Sequence, residues 1–342
     1  MGEIVDIRLC DIGEFGLIKI LAEGFGAKPS ERLIVPIGDD TAAISLGGET
    51  LLFTTDALVE GIHFNLDISS FYDVGWRAMA SNISDIASMG GSPLWALVTV
   101  ALRKEIIVDR IKDLYRGMKE IGDNFGVQIA GGDTVSSPGP IFINIAMIGS
   151  CKGKPITRSG ARIGDAIFVT GDLGGSAAGL RYLLSGGMKE GDLEWWAKGI
   201  VSRHLFPTPR VKEGMKLAEM GITAMTDISD GLASELINIS EMSGVGMIVY
   251  ADSIPISEET RAWAEISNTD PLDLALFGGE DYELVFTAPS ELTETLESFK
   301  DMAPIRRIGV VDGSKSIRIL FPDGSERTIE RRGYEHFVED GP

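Results

Sequence analysis

Apolar positions along the first 150 residues recur with two different periods. A spacing of three to four residues predicts amphipathic helices, whereas short runs of β-branched and other apolar residues predict strands. The expected helices span residues 14–25, 71–89 and 108–125. The expected strands span residues 41–45, 50–55, 94–102, 127–130 and 141–148, of which the first two flank a hairpin signal, Leu-Gly-Gly-Glu. This half of the chain is therefore expected to be an α+β unit.

A polar, basic and turn-rich stretch at residues 149–165 interrupts this pattern. Because each side of it is long enough to bury a core, we expect one domain over residues 1–150 and a second over residues 151–342. In the second domain, strands are expected at residues 166–170, 247–251, 283–287, 305–311 and 317–321, with a further strand ending at residue 226. Helices are expected at residues 176–184, 192–203, 209–220, 257–266 and 271–277, with a further helix ending at residue 242. The fold class that follows is a two-domain α+β or α/β protein.

The composition narrows the possible partners. The chain has 342 residues with 51 Asp and Glu against 31 Lys and Arg, so its formal charge is −20. Such a chain is not expected to bind nucleic acid or an anionic membrane, because both need a basic face. No apolar run approaches the roughly 20 residues of a membrane span, and the first residues lack a signal-peptide pattern. Since Cys10 and Cys151 suit neither a disulfide framework nor a zinc site, we expect a soluble, cytoplasmic protein.

Acidic residues are concentrated where apolar strands are expected to meet Gly, Ser or Thr in turns. These positions are Asp39, Asp40, Asp56, Asp133, Asp227, Asp230, Glu280 and Asp281, and Asp85 lies on an otherwise apolar helix. Any one of them alone is most simply a turn residue or a helix cap. These nine residues fall in six separate segments of the chain, and that many segments favour a shared metal site instead.

Converging carboxylates need cations, because two unit charges about 4 Å apart repel by roughly 4 kcal/mol at an effective dielectric constant of about 20. Mg²⁺ usually takes one or two carboxylates and completes its octahedron with water and phosphate oxygens, so roughly three or more ions are expected. The predicted carboxylate ligands are Asp40, Asp56, Asp85, Asp133, Asp227 and Asp230. Such a cluster suits a polyphosphate whose charge the ions neutralise during phosphoryl transfer.

The common phosphate-binding motifs are absent from the sequence. It contains no G-x-x-x-x-G-K-[ST] P-loop and no H-R-D or D-F-G kinase motif. Residues 167–179 combine a strand, a Gly-rich turn and a helix, but they lack the G-x-G-x-x-G spacing of a dinucleotide site. A tight turn with close helix packing explains that segment more simply.

Eight ordered segments resemble those of the thiamine-monophosphate kinases, a family within the aminoimidazole-ribonucleotide synthetase superfamily. The segments are IGDDTAAI (37–44), FTTDALVEGIHF (53–64), NISDIASMGGSPLWALV (82–98), GGDTVSSPG (131–139), TRSGARIGD (157–165), DISDGL (227–232), FGGEDYEL (277–284) and GYEHF (333–337). They run almost from end to end of the chain. EGIHF, GGEDYEL and GYEHF are the segments that resemble this kinase family rather than its relatives.

The resemblance implies direct transfer of the γ-phosphoryl group of ATP to thiamine monophosphate, assisted by several Mg²⁺ ions. No protein nucleophile is implied, because in-line attack by the acceptor phosphate needs positioning and charge neutralisation. The metal ligands implied by the resemblance are Asp40, Thr54, Thr55, Asp56, Asp85, Asp133, Asp227 and Asp230, with Asp39 as the alternative to Asp40. The implied nucleotide contacts are Tyr115, Gly132, Asp133, Arg158 and Ser229. The implied acceptor-binding residues are His63, Glu280 and Tyr334.

Several of these residues also have a simpler structural interpretation. Tyr115 lies beside the apolar stripe of its helix, where core packing is the commoner use of an aromatic ring. His63 is as readily structural as functional, and Tyr334 on its own reads as a surface residue. Functionally, Arg158 suits a fixed cation beside phosphate oxygens, while Glu280 and the Tyr334 ring suit the cationic thiazolium of the acceptor.

The fold implied by the resemblance is PurM-like. The first half is expected to supply its sheet to a barrel shared across the two-fold axis of a homodimer, and the second half to form a mixed sheet covered by helices. The runner-up function is another ATP-dependent enzyme of the superfamily, either a ligase or a selenophosphate or hydrogenase-maturation enzyme. No Lys neighbours Cys10 and the sequence ends Asp340-Gly-Pro342 without a Cys, which disfavours the last two. A non-catalytic nucleotide-binding regulator is the alternative of a different class.

Overall fold

The first half of the chain is built on a six-stranded sheet. The computed structural model describes residues 8–330 and 336–337. In chain order, the strands of this sheet are β1 (Leu33–Val35), β2 (Ala42–Leu46), β3 (Glu49–Val59), β4 (Ser92–Leu102), β5 (Gln128–Ser136) and β6 (Phe142–Cys151). Side by side they follow the order β1-β2-β3-β6-β4-β5, with β4 and β5 parallel and the other neighbours antiparallel.

One buried helix forms the centre of this half. The helices that accompany the sheet are α1 (Leu9–Phe25), α2 (Phe71–Ser88) and α3 (Val108–Phe125). α2 packs between the sheet and α3, and most of its residues are buried. A capping box fixes its start, since the Ser70 hydroxyl accepts the Asp73 backbone N–H and the Asp73 carboxylate accepts that of Ser70. The apolar core therefore gathers around α2.

The second half is built on a seven-stranded mixed sheet. Its strands are β7 (Ala166–Thr170), β8 (Ala224–Asp227), β9 (Gly246–Tyr250), β10 (Leu284–Ala288), β11 (Ile305–Asp312), β12 (Ile317–Leu320) and β13 (Glu326–Thr328), in the order β13-β12-β9-β11-β7-β10-β8. Its helices are α4 (Gly175–Leu184), α5 (Trp195–Leu205), α6 (Val211–Glu219), α7 (Leu232–Ser243), α8 (Glu258–Ser267), α9 (Pro271–Phe277) and α10 (Thr293–Glu297). Among the helices of the described chain, none has the length and apolar character needed to cross a bilayer.

The two halves meet where α2 packs against α6 and β8. The approach is close because Gly214 of α6 has no side chain: a Cβ there would lie 2.0 Å from the Ala87 carbonyl oxygen of α2. Across the same interface, the Trp76 indole donates to the Pro207 carbonyl at 2.9 Å. α2 is therefore shared by both halves, and polar side chains on it can reach the second sheet.

Nearly all the helices and strands predicted from the sequence are present, with their ends shifted by a few residues. The short elements β1, β13 and α10 were not predicted, because each is too short to show a periodic pattern. α1 begins at Leu9 rather than at residue 14, and it contains a kink at Gly13, where φ is 63°. The periodic pattern thus identified the long elements and missed the short ones.

Two acidic sites that the sequence placed at turns lie inside strands. Residues 131–134 belong to β5, and Asp56, expected just after a strand over residues 50–55, belongs to the longer β3. At Gly132, φ is 151° and a Cβ would lie only 1.8 Å from the Val98 carbonyl oxygen of β4. Glycine at this position therefore permits the parallel pairing of β5 with β4, and the turn prediction was wrong.

In the Gly-rich turn before α4, the backbone N–H groups are bound by a carboxylate of the protein and not left open for a ligand. Asp281 accepts the backbone N–H groups of Gly174 and Ser176 at 2.6 and 3.1 Å. Gly174 has a φ of 79°, and a Cβ there would lie 2.8 Å from the Ala275 backbone nitrogen. Residues 167–179 are therefore a strand, a tight turn and a capped helix, as their simpler interpretation predicted.

The crossing of α2 and α3 generates a stability prediction. Gly75 of α2 lies so close to α3 that an added Cβ would be 1.9 Å from the Leu114 carbonyl oxygen. We expect Gly75→Ala to lower the free energy of unfolding by about 3 kcal/mol, because the two helices must move apart. Urea unfolding followed by circular dichroism measures the change.

Gly24→Ala in α1 is the matched control for that experiment. No atom lies within 4 Å of the Cβ position of Gly24, so we expect a change below about 1 kcal/mol. Similar losses of stability in the two variants would show that the α2–α3 crossing is not close-packed.

Candidate active site

Polar side chains form a stripe along α2, a helix that is otherwise largely apolar. The stripe consists of Arg77, Ser81, Ser84, Asp85 and Ser88, which share one face because they are spaced by three or four residues. Arg77, Ser84 and Ser88 are almost completely buried. Buried polar groups need hydrogen-bond partners, and these residues find them on β3, on β8 and in the loops beside them. α2 therefore supplies one wall of the candidate site.

Two of the predicted metal ligands, the half-buried Asp85 and the buried Asp227, are held by hydroxyl groups. Thr54 of β3 donates to an Asp85 oxygen at 2.5 Å. Asp227, at the end of β8, accepts the Ser84 hydroxyl at 2.6 Å. Because Ser84 and Asp85 are adjacent on α2, carboxylates from both halves of the chain converge on one turn of this helix.

Asp40 joins the cluster from the loop between β1 and β2. Its side chain, only 1% exposed, accepts hydrogen bonds from Ser88 at 2.5 Å and from Thr226 at 3.0 Å. It also forms an ion pair with Arg158, whose Nη2 lies 2.5 Å from Oδ1. Asp39 has a different partner, since its carboxylate accepts the Arg158 backbone N–H at 3.2 Å. Of the two neighbours, Asp40 is the one that contacts the hydroxyl groups of α2 and β8.

Burial in this cluster opposes ionisation of the carboxylates. It raises the pKa of Asp56, and burial together with neighbouring carboxylates raises the pKa of Asp85 and Asp227 well above the ordinary range. The pKa of Asp230 rises to about 6, mainly through burial. Arg158 contributes one positive charge against several acids. The cluster therefore carries uncompensated negative charge whenever its members are ionised.

This arrangement fits divalent cations that are shared with a ligand, and it differs from a preformed metal cage. Within residues 8–330 and 336–337, no three His, Cys, Asp or Glu side chains surround one point closely enough to hold an ion. Mg²⁺ needs only one or two carboxylates when phosphate and water oxygens complete its octahedron. A bound cation would also stabilise the ionised forms that burial disfavours. The acidic residues therefore fit Mg²⁺ in the presence of a phosphate ligand.

A cavity of about 990 Å³ adjoins the cluster. Part of its wall is acidic and includes Asp56, Asp85 and Asp230. Another part is apolar and includes Ile68 and Leu180. A cavity with a few polar groups and an apolar wall suits a small molecule that carries both phosphate and ring atoms.

Glu280 enters the cavity from a strained loop after α9. Its φ is 64° and that of Tyr282 is 51°, in the left-handed region that residues other than glycine seldom adopt. Backbone hydrogen bonds hold the loop, since Glu280 donates to Ser229 at 2.7 Å and Tyr282 donates to Ile228 at 3.0 Å. Such strain persists where the surroundings fix it and is concentrated at functional sites. The loop therefore presents Glu280 in a preorganised position.

His63 also lies on the cavity wall. Its Nδ1 accepts the Val59 backbone N–H at 3.0 Å, and its Nε2 lies 3.2 Å from the Nε2 of His336. Burial, with the neighbouring His336 ring as a smaller cause, lowers the pKa of His63 and so favours the neutral ring at pH 7. Tyr334, the third predicted acceptor residue, lies outside the described residues, although His336 and Phe337 of the same segment line the cavity.

Three predicted site residues lie away from the cluster, and a fourth is at its margin. Asp133 and Gly132 are exposed on β5, the edge strand of the first sheet. Tyr115 is half-buried and packs against the apolar core of the first half. Thr55 lines the cavity, but its hydroxyl donates to Asn144 at 3.1 Å and not to a carboxylate of the cluster. One described chain therefore does not bring all the predicted metal and nucleotide residues together.

Several side chains at this site were not predicted from the sequence. Ser84, Ser88 and Arg77 belong to the polar stripe of α2, and their spacing on an apolar helix is a signal that could have identified them. Glu235 of α7 is different, because only the tertiary structure brings its carboxylate to 3.8 Å from Arg158. Burial raises the pKa of Glu235 to about 7, as it does for other acids of the cluster.

Both halves of the chain match known family models. Residues 38–151 match the N-terminal domain of AIR synthase related protein, and residues 162–321 match its C-terminal domain. A thiamine-monophosphate kinase from Aquifex aeolicus (strain VF5) is 35% identical over 333 residues, which cover 97% of this chain and 100% of that protein. Another, from Bacillus subtilis (strain 168), is 38% identical over 313 residues, which cover 89% of this chain and 93% of that protein.

The comparison with solved structures agrees with the sequence matches. The structure named "AaThiL complexed with AMPPCP and TMP" is similar with a TM-score of 0.85 at 33% identity, over 97% of this chain and 99% of that chain. The predicted fold, with a mixed sheet and helices in each of two AIR synthase-type domains, is confirmed. On these grounds, the chain belongs to the thiamine-monophosphate kinase family of AIR synthase related proteins.

Proposed function

We propose that the protein transfers the γ-phosphoryl group of ATP to thiamine monophosphate, giving thiamine diphosphate and ADP. The observation that carries this proposal is the buried carboxylate cluster around Asp40, Asp85 and Asp227, which adjoins a cavity of substrate size. Relatives named thiamine-monophosphate kinase support it, as does a similar structure whose name includes the ATP analogue AMPPCP and TMP.

Mg²⁺ is part of the proposal. The proposed ligands are Asp40, Thr54, Thr55, Asp56, Asp85, Asp133, Asp227 and Asp230, with Asp39 as the alternative to Asp40. When bound, the ions would neutralise phosphate charge and stabilise the charge that develops during phosphoryl transfer. The hydroxyls of Thr54, Ser84 and Ser88 hold carboxylates of the cluster in fixed orientations, so little reorganisation is needed for an ion to bind.

The nucleotide is assigned to the Arg158 side of the cluster. Arg158 is a fixed cation, held by Asp40 and by a 3.2 Å hydrogen bond from its Nε to Thr226, and a guanidinium suits phosphate oxygens. Ser229 on the cavity wall and Gly132 on β5 are further proposed contacts. In-line transfer to the acceptor phosphate needs no protein nucleophile, because the protein's contribution is to orient the groups and neutralise their charge.

The acceptor is assigned to the part of the cavity lined by His63 and Glu280. A partly exposed carboxylate in a cavity that also has an apolar wall suits a positively charged aromatic ring, and thiamine monophosphate contains a thiazolium. Tyr334 is kept as a third proposed acceptor residue.

A homodimer is also part of the proposal. On the first sheet, the face opposite α2 carries large apolar side chains that the described residues leave exposed to solvent. They include Trp95 (46% exposed) and Leu97 (47% exposed). Exposed apolar patches on a sheet commonly mark an interface. A second copy placed on this face would cover them, and it would also approach Asp133 on the exposed edge strand β5.

The domain boundary and the location complete the proposal. We place the boundary between residues 150 and 151, close to the end of β6 at Cys151 and well before the start of β7 at Ala166. We propose a cytoplasmic location, where ATP is available and where the two free cysteines would stay reduced.

The first functional prediction concerns turnover itself. With ATP, thiamine monophosphate and Mg²⁺, we expect the purified protein to release ADP and to form thiamine diphosphate in equal amounts. A coupled ADP assay and chromatography of the product measure this, and EDTA should stop the reaction. Nucleotide binding without turnover would point to a regulator, and ADP release without the acceptor would point to another ATP-dependent enzyme.

The second prediction is that the proposed metal-binding acids are needed for turnover and not for the stability of the fold. Asp56→Asn and Asp133→Asn are each expected to lower kcat by at least about a hundredfold, because each removes a charged ligand. Neither should lower the free energy of unfolding of the metal-free protein by more than about 0.5 kcal/mol. The reason is that Asp133 is exposed, while Asn at the half-buried position 56 avoids the desolvation cost that raises the pKa of Asp56.

Asp109→Asn serves as the control for these two variants, since Asp109 is an exposed residue of α3 paired with Lys112. We expect its kcat to match the unmodified protein. If Asp56→Asn or Asp133→Asn kept the unmodified kcat, the assigned metal role of that residue would be wrong.

The third prediction concerns the homodimer. Sedimentation equilibrium is expected to give twice the chain mass of 36.7 kDa. Leu97→Glu should give the single-chain mass with an unchanged circular dichroism spectrum, because it places a charge in the proposed interface. Ile266→Glu, at an exposed apolar position of α8, should remain dimeric. A monomeric unmodified protein would refute the dimer.

A further inference from the structure

Arg77 links the two described residues that the proposed function assigns to the acceptor. Its Nη2 donates both to the Glu280 carboxylate and, at 3.1 Å, to the His63 backbone carbonyl. Arg77 belongs to α2, whereas His63 follows β3 and Glu280 follows α9. One buried side chain therefore fixes the relative positions of two distant segments on the same cavity wall.

The Arg77–Glu280 ion pair has its negative end toward the cavity. The Arg77 side chain is 3% exposed and that of Glu280 is 31% exposed. Arg77 contacts Oε1 of the carboxylate, while Oε2 lies 3.8 Å from the Nδ1 of His204. Burial lowers the pKa of His204 to about 4, so this ring is neutral at pH 7 and adds no second positive charge. A ligand in the cavity thus meets a carboxylate whose counter-charge lies behind it.

The same contact keeps the carboxylate ionised. Burial alone would raise the pKa of Glu280, but the charge and hydrogen bond of Arg77 bring that pKa below its ordinary value. The other ionisable groups that face Glu280 are His204, His63 and Tyr282, and burial holds each of them in its neutral form near pH 7. Arg77 is therefore the group that compensates the charge of Glu280.

Ser176 fixes the buried His204 ring, which lies beside Oε2 of Glu280. The Nδ1 of His204 lies 3.1 Å from the Ser176 hydroxyl, at the start of α4, and both residues line the cavity. The backbone of Glu280 is fixed independently by its strained φ and its hydrogen bond to Ser229. The carboxylate therefore has little freedom to move away from the cavity.

We propose that Arg77 is a positioning residue for acceptor selection. Acting through Glu280, it makes the cavity prefer a phosphate ester whose heteroaromatic ring is positively charged over a neutral ester of the same shape. This inference rests on the proposed function and extends it, because it assigns recognition of the ring charge to an ion pair and not to Glu280 alone.

The test compares two acceptors that differ only in ring charge. Thiamine monophosphate and its neutral thiophene analogue, in which carbon replaces the thiazolium nitrogen, are titrated calorimetrically into the full chain at constant Mg²⁺. We expect the unmodified protein to bind the cation about tenfold more tightly, as for one charge-assisted contact. In Arg77→Met this ratio should fall to about one, and in Arg77→Lys most of it should remain.

A double variant shows whether Arg77 acts through Glu280. Glu280→Gln should itself lower the ratio to about one, and adding Arg77→Met to it should change the ratio no further. Arg318→Met is the matched control, because Arg318 pairs with Asp312 far from the cavity, and its ratio should stay unchanged. If Arg77→Met does not fold by circular dichroism, Arg77→Gln replaces it, because it removes the charge and keeps a hydrogen-bond donor; an unchanged ratio in that variant would overturn the inference.

The outcomes separate this inference from the proposed function. A parallel loss of affinity for both acceptors in Arg77→Met would mean that Arg77 is merely structural, and the inference would be overturned. Equal binding of the two acceptors by an unmodified protein that converts thiamine monophosphate would refute the inference and leave the proposed function intact. Failure of the unmodified protein to bind or convert thiamine monophosphate would refute the proposed function, and the inference with it.

Discussion

Carboxylates from three segments converge at one turn of α2, and the rest of the structure depends on how their negative charge is compensated. Asp85, Asp227 and Asp40 come from different segments, and burial opposes the ionisation of Asp85 and Asp227. Arg158 compensates part of this charge, and serine and threonine hydroxyls supply hydrogen bonds. The remaining negative charge suits divalent cations that bind together with a phosphate ligand. For this reason the negative charge of the site can stay poorly compensated in the protein alone.

Apolar packing is what holds these acids in place. α2 is fixed against α3 through Gly75 and against α6 through Gly214, where no side chain larger than hydrogen fits. Because interiors are close-packed, a helix held on both sides cannot move to relieve the repulsion between its Asp85 and the acids of the neighbouring segments. The free energy of burying the apolar face of α2 therefore offsets the electrostatic cost of its polar stripe.

The cavity beside the cluster combines two kinds of recognition. Its acidic wall suits metal-bound phosphate, and the wall with Glu280 suits a positively charged ring. The Glu280 loop has left-handed backbone at two residues that are not glycine, so this geometry is maintained by its hydrogen bonds to residues 228 and 229. Arg77 ties this loop to α2, so both kinds of recognition depend on the same helix.

The sequence by itself determined the long helices and strands, the two α+β halves and most of the acids that converge. Apolar periodicity reflects burial directly, and motifs such as GDD and DISDGL keep their order along the chain. Only the tertiary structure decided which acids meet: Asp40, Asp85 and Asp227 converge, whereas Asp133 stays exposed on an edge strand. It also decided that Glu235 reaches Arg158 and that Arg77 pairs with Glu280. The physical reason is that ion pairs and hydrogen bonds join residues far apart in the chain, and local spacing does not encode where distant segments come together.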